Sequence, residues 1–295
     1  MRILMIVNLK SGQGDAGLYH YVRALGGAGA EATIRFLGLG GALEHLLRDA
    51  SEHDCVVAAG GDGTVSAVCR TLANTKIPVL AYPAGTANLL ALNLGIPSDP
   101  AKLAEVTLAA RTRDIDLGEI EYGSDGTTTG FVVAAGAGFD AAIMATADRL
   151  KPTLGPGAYL AGVLQNLAPT VARFTLDLDD RTVEAEGMAV LVMNVVRIQF
   201  DLALVHDSNP ADGLFEVVVV RTKYVPELIP AVWGAFLDRF IPNPDRSPGI
   251  EVHSASRVRI LSDPPLPIQY DGEVAPSTTP LVARVLPGAA RMIVP

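Results

Sequence analysis

Between Asp54 and Thr64 the chain reads DCVVAAGGDGT and runs on as VSAVCRTLAN. The Val- and Ala-rich start fits a short buried strand, the glycines a sharp turn, and the spacing that follows a helix. A strand that turns directly into a helix points backbone N–H groups outward at the helix N-terminus, where they and the helix dipole favour an anion. Gly60, Gly61 and Gly63 permit close backbone approach, Asp62 offers the hard oxygen that a phosphate-bound Mg2+ takes, and Thr64 stands where it would cap the helix. A glycine-rich turn with no ligand has the same outline. A carboxylate set among glycines beside an anion site has little purpose without a cation, however, so the stretch reads as a nucleotide phosphate cradle. It is not a Walker A loop, because GxxxxGK[ST] occurs nowhere in the chain.

The residues on either side repeat that plan. Residues 2 to 8, 31 to 37, 54 to 59 and 77 to 81 read as strands, and 18 to 26, 41 to 50 and part of 97 to 113 as helices, which predicts a doubly wound parallel sheet. Ligands in such sheets bind beyond the carboxyl ends of the strands. Two further polar loops fall there: Lys10, Ser11, Gly12 and Gly14 after the first strand, and Gly85, Thr86 and Asn88 after the fourth. Lys10 is a candidate phosphate partner, and a solvated turn lysine is the equal alternative. The three loops are expected to line one edge of one sheet.

From about residue 120 the alternation of helix and strand fades. GFVVAAGAG, ARFTLDLD, GMAVLVMNVV, GLFEVVVVRT, SRVRILSD and PLVARVLP are strand-like, predicting a mainly β second domain. The expected division is 1–120 and 121–295, with the last residues able to return to the first domain, and Glu121 to Thr129 at the boundary carries a hairpin signal rather than a linker. Gly136, Gly138 and Ala141 spell GxGxxA, but no βαβ unit and no acidic residue about 20 positions on accompany them, so a structural turn is expected. Near the end, PLPIQYDGEVAPS sets Asp271 and Glu273 astride a glycine. Alone this is a polar hairpin; beside a nucleotide site one carboxylate could accept a substrate proton and the other hold metal.

The chain is long enough, at 295 residues, for two domains with their own cores, and 49% hydrophobic against 19% charged residues is globular. No apolar run approaches the roughly 20 residues of a membrane-spanning helix, and MRILMIVN reads as a first strand and not a secretory signal, so a cytoplasmic location is expected. A net charge of −9 argues against a nucleic-acid partner. Cys55 and Cys69 form no CxxC pair and read as buried free thiols, and the five histidines show no metal-ligand spacing.

Taken together, NLKSG, GGDGTVSAV, GTANLLALNLGIP, IDLG, GAGFDA, DGLFEV and YDGE resemble the diacylglycerol kinase catalytic family, the soluble bacterial lipid kinases related to sphingosine kinase, over nearly the whole chain. GGDGT alone is shared with NAD kinases. The resemblance implies an N-terminal α/β nucleotide domain of NAD-kinase-like type and a C-terminal antiparallel β-sandwich, with the active site in a cleft between them. It implies that Asn8 to Gly12, Gly61 to Ala67 and Thr86 contact ATP, that Asp271 is the general base, and that Asp62 and Glu273 stand near Mg2+. The implied reaction moves the γ-phosphoryl group of ATP to the hydroxyl of diacylglycerol or a related lipid, which requires transient contact with a membrane surface. An NAD kinase is the alternative enzyme, though it offers no reason for YDGE, and a nucleotide-binding regulatory protein without catalysis is the alternative from another class. The oligomeric state stays open, a homodimer included.

The chain departs from the family pattern in places. Leu9 replaces a proline, and Leu89 and Leu92 replace polar residues. Of two adjacent aspartates that form part of a structural metal site only Asp212 remains, with Asp207 a substitute. Arg197 to Asp201 (RIQFD) replaces a glycine-rich turn, and either faces the acceptor or points outward along a strand. Leu228, Val232, Phe236 and Phe240 share a helical stripe beside Trp233, expected to face the core, with membrane contact as the other reading.

Overall fold

The computed structural model describes residues 1–11, 16–38, 42–85, 87–138, 170–195, 197–198, 202–203, 209–221 and 249–295. The chain forms two compact units, one of Met1–Leu117 with Asn209–Gly213 and Leu286–Pro295, the other of Gly118–Ser208 with Leu214–Val285. The first contains β1 (Arg2–Asn8), α1 (Ala16–Gly27), β2 (Glu31–Leu37), α2 (Leu43–Leu46), β3 (Cys55–Gly60), α3 (Asp62–Thr71), β4 (Pro78–Pro83), α4 (Leu89–Asn93), α5 (Pro100–Ala109) and the start of β5 (Thr112–Tyr122). Then come β6 (Thr127–Phe131), β7 (Ala134–Ala137), β8 (Ala172–Leu178), β9 (Arg181–Gly187), β10 (Ala189–Met193), β11 (Arg197–Ile198), β12 (Leu202–Ala203), β13 (Phe215–Val220), β14 (Ile250–Ala255), β15 (Arg257–Asp263), β16 (Pro267–Tyr270), β17 (Glu273–Thr278) and β18 (Leu281–Ile293).

In the first unit the strands run parallel in the order β2-β1-β3-β4, and the last residues of β18 extend the sheet, Arg291 opposite Pro78. β1 is central, which explains its unbroken apolar run: Ile3 to Ile6 are fully buried because helices cover both faces of such a sheet. β2 lies at the edge and leaves Ile34 and Phe36 exposed. Strand order reverses between β1 and β3, so their carboxyl ends form a topological switch point, where open parallel sheets bind ligands. Helices α1 and α5 are joined by a buried hydrogen bond between the Tyr21 and Thr107 hydroxyls, 2.7 Å. Cys55 and Cys69 are buried free thiols, and burial pushes the Cys55 thiol up to about 12.

One helix differs from expectation. The sequence pattern predicts helix across 41 to 50, whereas α2 is a single turn followed by a short 3-10 turn, Ala50–Glu52. Arg35, reaching over from β2, donates to the Leu46 carbonyl that would continue the helix and holds the Asp49 carboxylate through both of its terminal nitrogens. The Ala50 N–H then turns back to the Leu47 carbonyl, 3.0 Å, and the helix stops.

The second unit is an antiparallel sandwich. One sheet has the order β14-β13-β10-β7-β16-β17; the other runs from the first residues of β18 through β15 and β8 to β9. Their inner faces share one core that includes Phe131, Phe174, Leu176, Phe215, Ile260 and Ile268. The hairpin signal before residue 130 forms as β5 and β6, closed at Tyr122 opposite Thr127 with Gly123 and Gly126 in left-handed conformations. Among the described residues no helix is long and apolar enough to cross a membrane.

A buried carboxylate ties the first unit together. Asp116, the acidic residue of IDLG, is 2% exposed and accepts from the Gly213 N–H and the Gly288 N–H, both at 2.7 Å, while its own N–H donates to the Pro210 carbonyl. IDLG and DGLFEV, about a hundred residues apart, thus meet. Asp212 lies in this loop, Asp207 lies outside the described residues, and among the described residues no cluster of three or more His, Cys, Asp or Glu could hold a metal. Replacing Asp116 with Ala strips two N–H groups of their acceptor and opens a void. Urea denaturation is expected to show a loss of about 2–4 kcal/mol, and a change near zero would show that the tie is dispensable.

Candidate active site

The carboxyl ends of β1, β3 and β4 bring three loops to one edge of the first unit's sheet, with Val7 opposite Ala59 and Gly60 opposite Pro83. Asn8, at the end of β1, organises the first loop. Its Oδ1 accepts from the Lys10 N–H at 3.0 Å, its carbonyl accepts from the Ser11 N–H at 3.0 Å, and its Nδ2 donates to Thr64 Oγ1 at 2.8 Å. Lys10 is exposed and Ser11 half-buried.

Thr64 does not cap α3. The helix starts at Asp62 with Gly61 as its N-cap residue and no side chain capping it, and Thr64 sits one turn in, buried and held by Asn8. The glycines then separate by role. A Cβ on Gly60 would stand 2.5 Å from Thr64 Cβ, so Gly60 is required by the packing of Thr64. A Cβ on Gly85 would run into the Gly61 backbone, so these two loops touch main chain to main chain. A Cβ on Gly63 meets nothing within 4 Å. Among the described residues Gly63 therefore faces open space, in the first turn of a helix without a side-chain cap, which is where an anion would approach.

The Asp62 carboxylate reaches across to the next loop and accepts from the Leu90 N–H at 3.1 Å, fixing the start of α4. Asn88 adopts the left-handed conformation, φ 49°, and closes the turn with its amide: Oδ1 accepts from the Gly85 N–H and Nδ2 donates to the Gly85 carbonyl, both at 2.8 Å. Among the described residues, side chains thus close the first and third loops on themselves, and Asn8–Thr64 and Asp62–Leu90 tie the second loop to each of them.

In the second unit, Asp271 and Gly272 make the two-residue turn between β16 and β17, with φ values of 45° and 83°, the geometry that Asp-Gly favours in a tight hairpin. The Asp271 carboxylate points back into its own sheet. Oδ2 accepts from the Val132 N–H at 2.8 Å, and Oδ1 accepts from the Val133 and Ala134 N–H groups at 2.8 and 3.2 Å. Glu273, across the turn, is exposed. Tyr270 precedes the turn, and burial first, then the charge on Glu273, pushes its phenol above the usual range.

Within the first unit, Asn8, Ser11, Gly60, Gly61, Asp62, Gly63, Thr64, Gly85 and Asn88 come together, with Lys10 exposed at their edge. Asp271 and Glu273 form a second group by themselves in the second unit. Gly12, Thr86 and Asp207, the helical stripe around Trp233, and Gln199 to Asp201 lie outside the described residues. Gly136 lies within β7 and Gly138 just past it, where a Cβ would collide with the backbone of β10 or of Met188 before it, and Ala141 lies outside the described residues. Sequence reasoning overlooked Asn194, whose side chain binds the backbone beside Asp271. A polar residue closing the apolar run MAVLVM was the available signal.

Comparison with known proteins bears on the family and the fold. Residues 2–120 match the family model of the diacylglycerol kinase catalytic domain, and residues 132–294 that of the YegS C-terminal NAD kinase beta sandwich-like domain. The chain is 31% identical over 311 residues to a "Probable lipid kinase YegS-like" of Stenotrophomonas maltophilia, covering 99% of this chain and 95% of that one. It is 28% identical over 257 residues to a diacylglycerol kinase of Bacillus subtilis, covering 83% and 80%. It also matches an uncharacterized protein of Synechocystis at 28% identity, and spans 54% of that protein's length. A crystal structure of a diacylglycerol kinase from Bacillus anthracis superposes with a TM-score of 0.78 at 23% identity, over 100% of this chain and 97% of the other, and shows the same fold.

The glycines make a direct test of the loop geometry. Gly85→Ala forces two backbones apart and is expected to lower stability by about 1–3 kcal/mol. Gly63→Ala should leave stability within about 0.5 kcal/mol. Equal urea midpoints for the two variants would contradict the close approach of the Gly61 and Gly85 loops.

Proposed function

Because the chain belongs to the diacylglycerol kinase catalytic family, we propose that it transfers the γ-phosphoryl group of ATP to the hydroxyl of a lipid, diacylglycerol or a relative. The observation that carries this reading is the N-terminus of α3 at the switch point, which no side chain caps and where Gly63 meets no other described residue. Backbone N–H groups there suit phosphate oxygens, and Lys10 adds a positive charge at the edge. Asn8, Ser11, Gly61 and the 85–88 turn set the shape of the cradle.

The residues present fit a magnesium nucleotide, since Asp62 offers a hard carboxylate oxygen beside the anion site, as Mg2+ prefers. When bound, Mg2+ would neutralise charge on the phosphate oxygens. Asp62 is the candidate to hold it. Asp62 also fixes α4 through the Leu90 N–H, so it has a positioning role whether or not metal is bound.

For the proton acceptor, the DGE turn offers two carboxylates. The hydrogen bonds support a division of labour: Asp271, with N–H donors on both oxygens, anchors the turn, and exposed Glu273 accepts the proton of the lipid hydroxyl. The acceptor lies in a bilayer, so the proposal includes transient contact with a membrane surface.

Purified protein incubated with labelled ATP, Mg2+ and a total lipid extract should yield a labelled phospholipid, and label in no lipid would overturn the reading. Glu273→Gln is expected to lower turnover by about 10² to 10⁴ with stability nearly unchanged. Asp271→Asn sets an amide against backbone N–H groups and should cost about 1–3 kcal/mol of stability as well as activity. A stable Asp271→Asn variant without turnover, beside an active Glu273→Gln, would return the base role to Asp271. Gly63→Ala should weaken Mg-ATP binding in titration calorimetry while the fold stays intact, and normal binding would remove the phosphate from that edge.

A further inference from the structure

We propose that Asn194 is a positioning residue for the DGE turn, gripping from one side the backbone that Asp271 grips from the other. β7 lies between β10 and β16, and regular pairing reaches Ala134 opposite Met193 on one side and Ala135 opposite Tyr270 on the other. Just before β7, at Val132 and Val133, side chains continue the ladder. Asn194, the first residue past β10, donates its N–H to the Val133 carbonyl and its Nδ2 to the Val132 carbonyl, each at 3.0 Å. Asp271, the first residue past β16, takes the N–H groups of Val132, Val133 and Ala134 and returns its own N–H to the Ala134 carbonyl at 2.9 Å.

The two residues thus share one short stretch of backbone, the Val132 and Val133 carbonyls on Asn194 and the N–H groups of Val132, Val133 and Ala134 on Asp271. Asn194 is 1% exposed and Val132 fully buried. The orientation of the amide follows from chemistry, because a peptide carbonyl can only accept and must therefore meet the NH2 group. A buried amide costs stability unless it is bonded, and a pair of apolar groups would fill this space as well. The polar choice is explained if the 132–134 backbone must be held to a fraction of an ångström. Its displacement would swing Asp271, and with it the turn that presents Glu273.

This inference rests on the reading of the DGE turn as the proton-accepting centre, so its test has one readout that needs no activity. In Asn194→Ala, hydrogen exchange at the Val132, Val133 and Ala134 amides should quicken while β13 and β14 keep their protection. Turnover should fall by about 10- to 100-fold, the scale expected of a misplaced catalytic group, with KM for ATP within about twofold. Combined with Glu273→Gln, Asn194→Ala should cost little beyond Glu273→Gln alone, since both act through one carboxylate. If Asn194→Ala does not fold, Asn194→Ser, which keeps a donor on a shorter stem, carries the same measurements. Unchanged exchange at 132–134 would overturn the clamp, and losses that multiply in the double variant would overturn its link to Glu273. Absence of lipid phosphorylation by the wild-type protein would instead overturn the kinase reading, and with it the catalytic part of this proposal, while leaving the exchange result to judge the clamp.

Discussion

The contact between the Gly61 and Gly85 backbones is the constraint on which the first unit's site depends. Two loops from adjacent parallel strands approach so closely that a methyl group at 85 would meet the Gly61 backbone. Asn88 bends its loop into that position by adopting the left-handed conformation and binding both polar groups of Gly85. Asp62 then crosses to Leu90, and Asn8 to Thr64. The result is a preorganised edge, in which side chains restrain backbone and backbone is left to meet a ligand.

Asp271 follows the same rule in the second unit. Its left-handed backbone makes the tight turn and its carboxylate replaces the missing partner of three N–H groups. In both units an aspartate carboxylate accepts backbone N–H groups from another segment, Asp62 at the start of α4 and Asp271 just before and at the start of β7. Asp116 does the same at Gly213 and Gly288, and there the purpose is cohesion of a unit assembled from three separate chain segments. The negative charge is tolerable in each place because oriented N–H dipoles surround it.

The sheet of the first unit was legible in the sequence because its central strands are buried on both faces and read as continuous apolar runs. β2 matched its expected range, and α1 and β4 differed only at their ends. The overlong helix at 41–50 was misread because its stop signal, Arg35, lies on another strand. β9 escaped notice for a local reason: RTVEAEG is an edge strand whose charged face hides the inward Val183 and Ala185. Most candidate residues of the three loops come together at one sheet edge, but their roles were less legible. Gly60 and Gly63 are identical letters in one motif, and only the position of Thr64 separates a glycine needed for packing from one facing open space. Asn194 belonged to no motif at all, since its meaning comes from Val132, about sixty residues earlier.

That division between finding residues and knowing their roles has a physical origin. The phosphoryl transfer proposed for this chain asks little covalent chemistry of a protein and much positioning, so most polar side chains near such a site are expected to bind protein and few to bind substrate. The hydrogen bonds here follow that proportion: Asn8, Asp62, Thr64, Asn88, Asn194 and Asp271 all hold backbone or one another, whereas Lys10, Gly63 and Glu273 face outward. A motif recorded as letters merges the two groups, because both must be present for turnover. They separate on the free-energy scale. Removing a residue that binds backbone lowers stability and activity together, while removing an outward one leaves the fold intact and changes only what the protein does to its ligand.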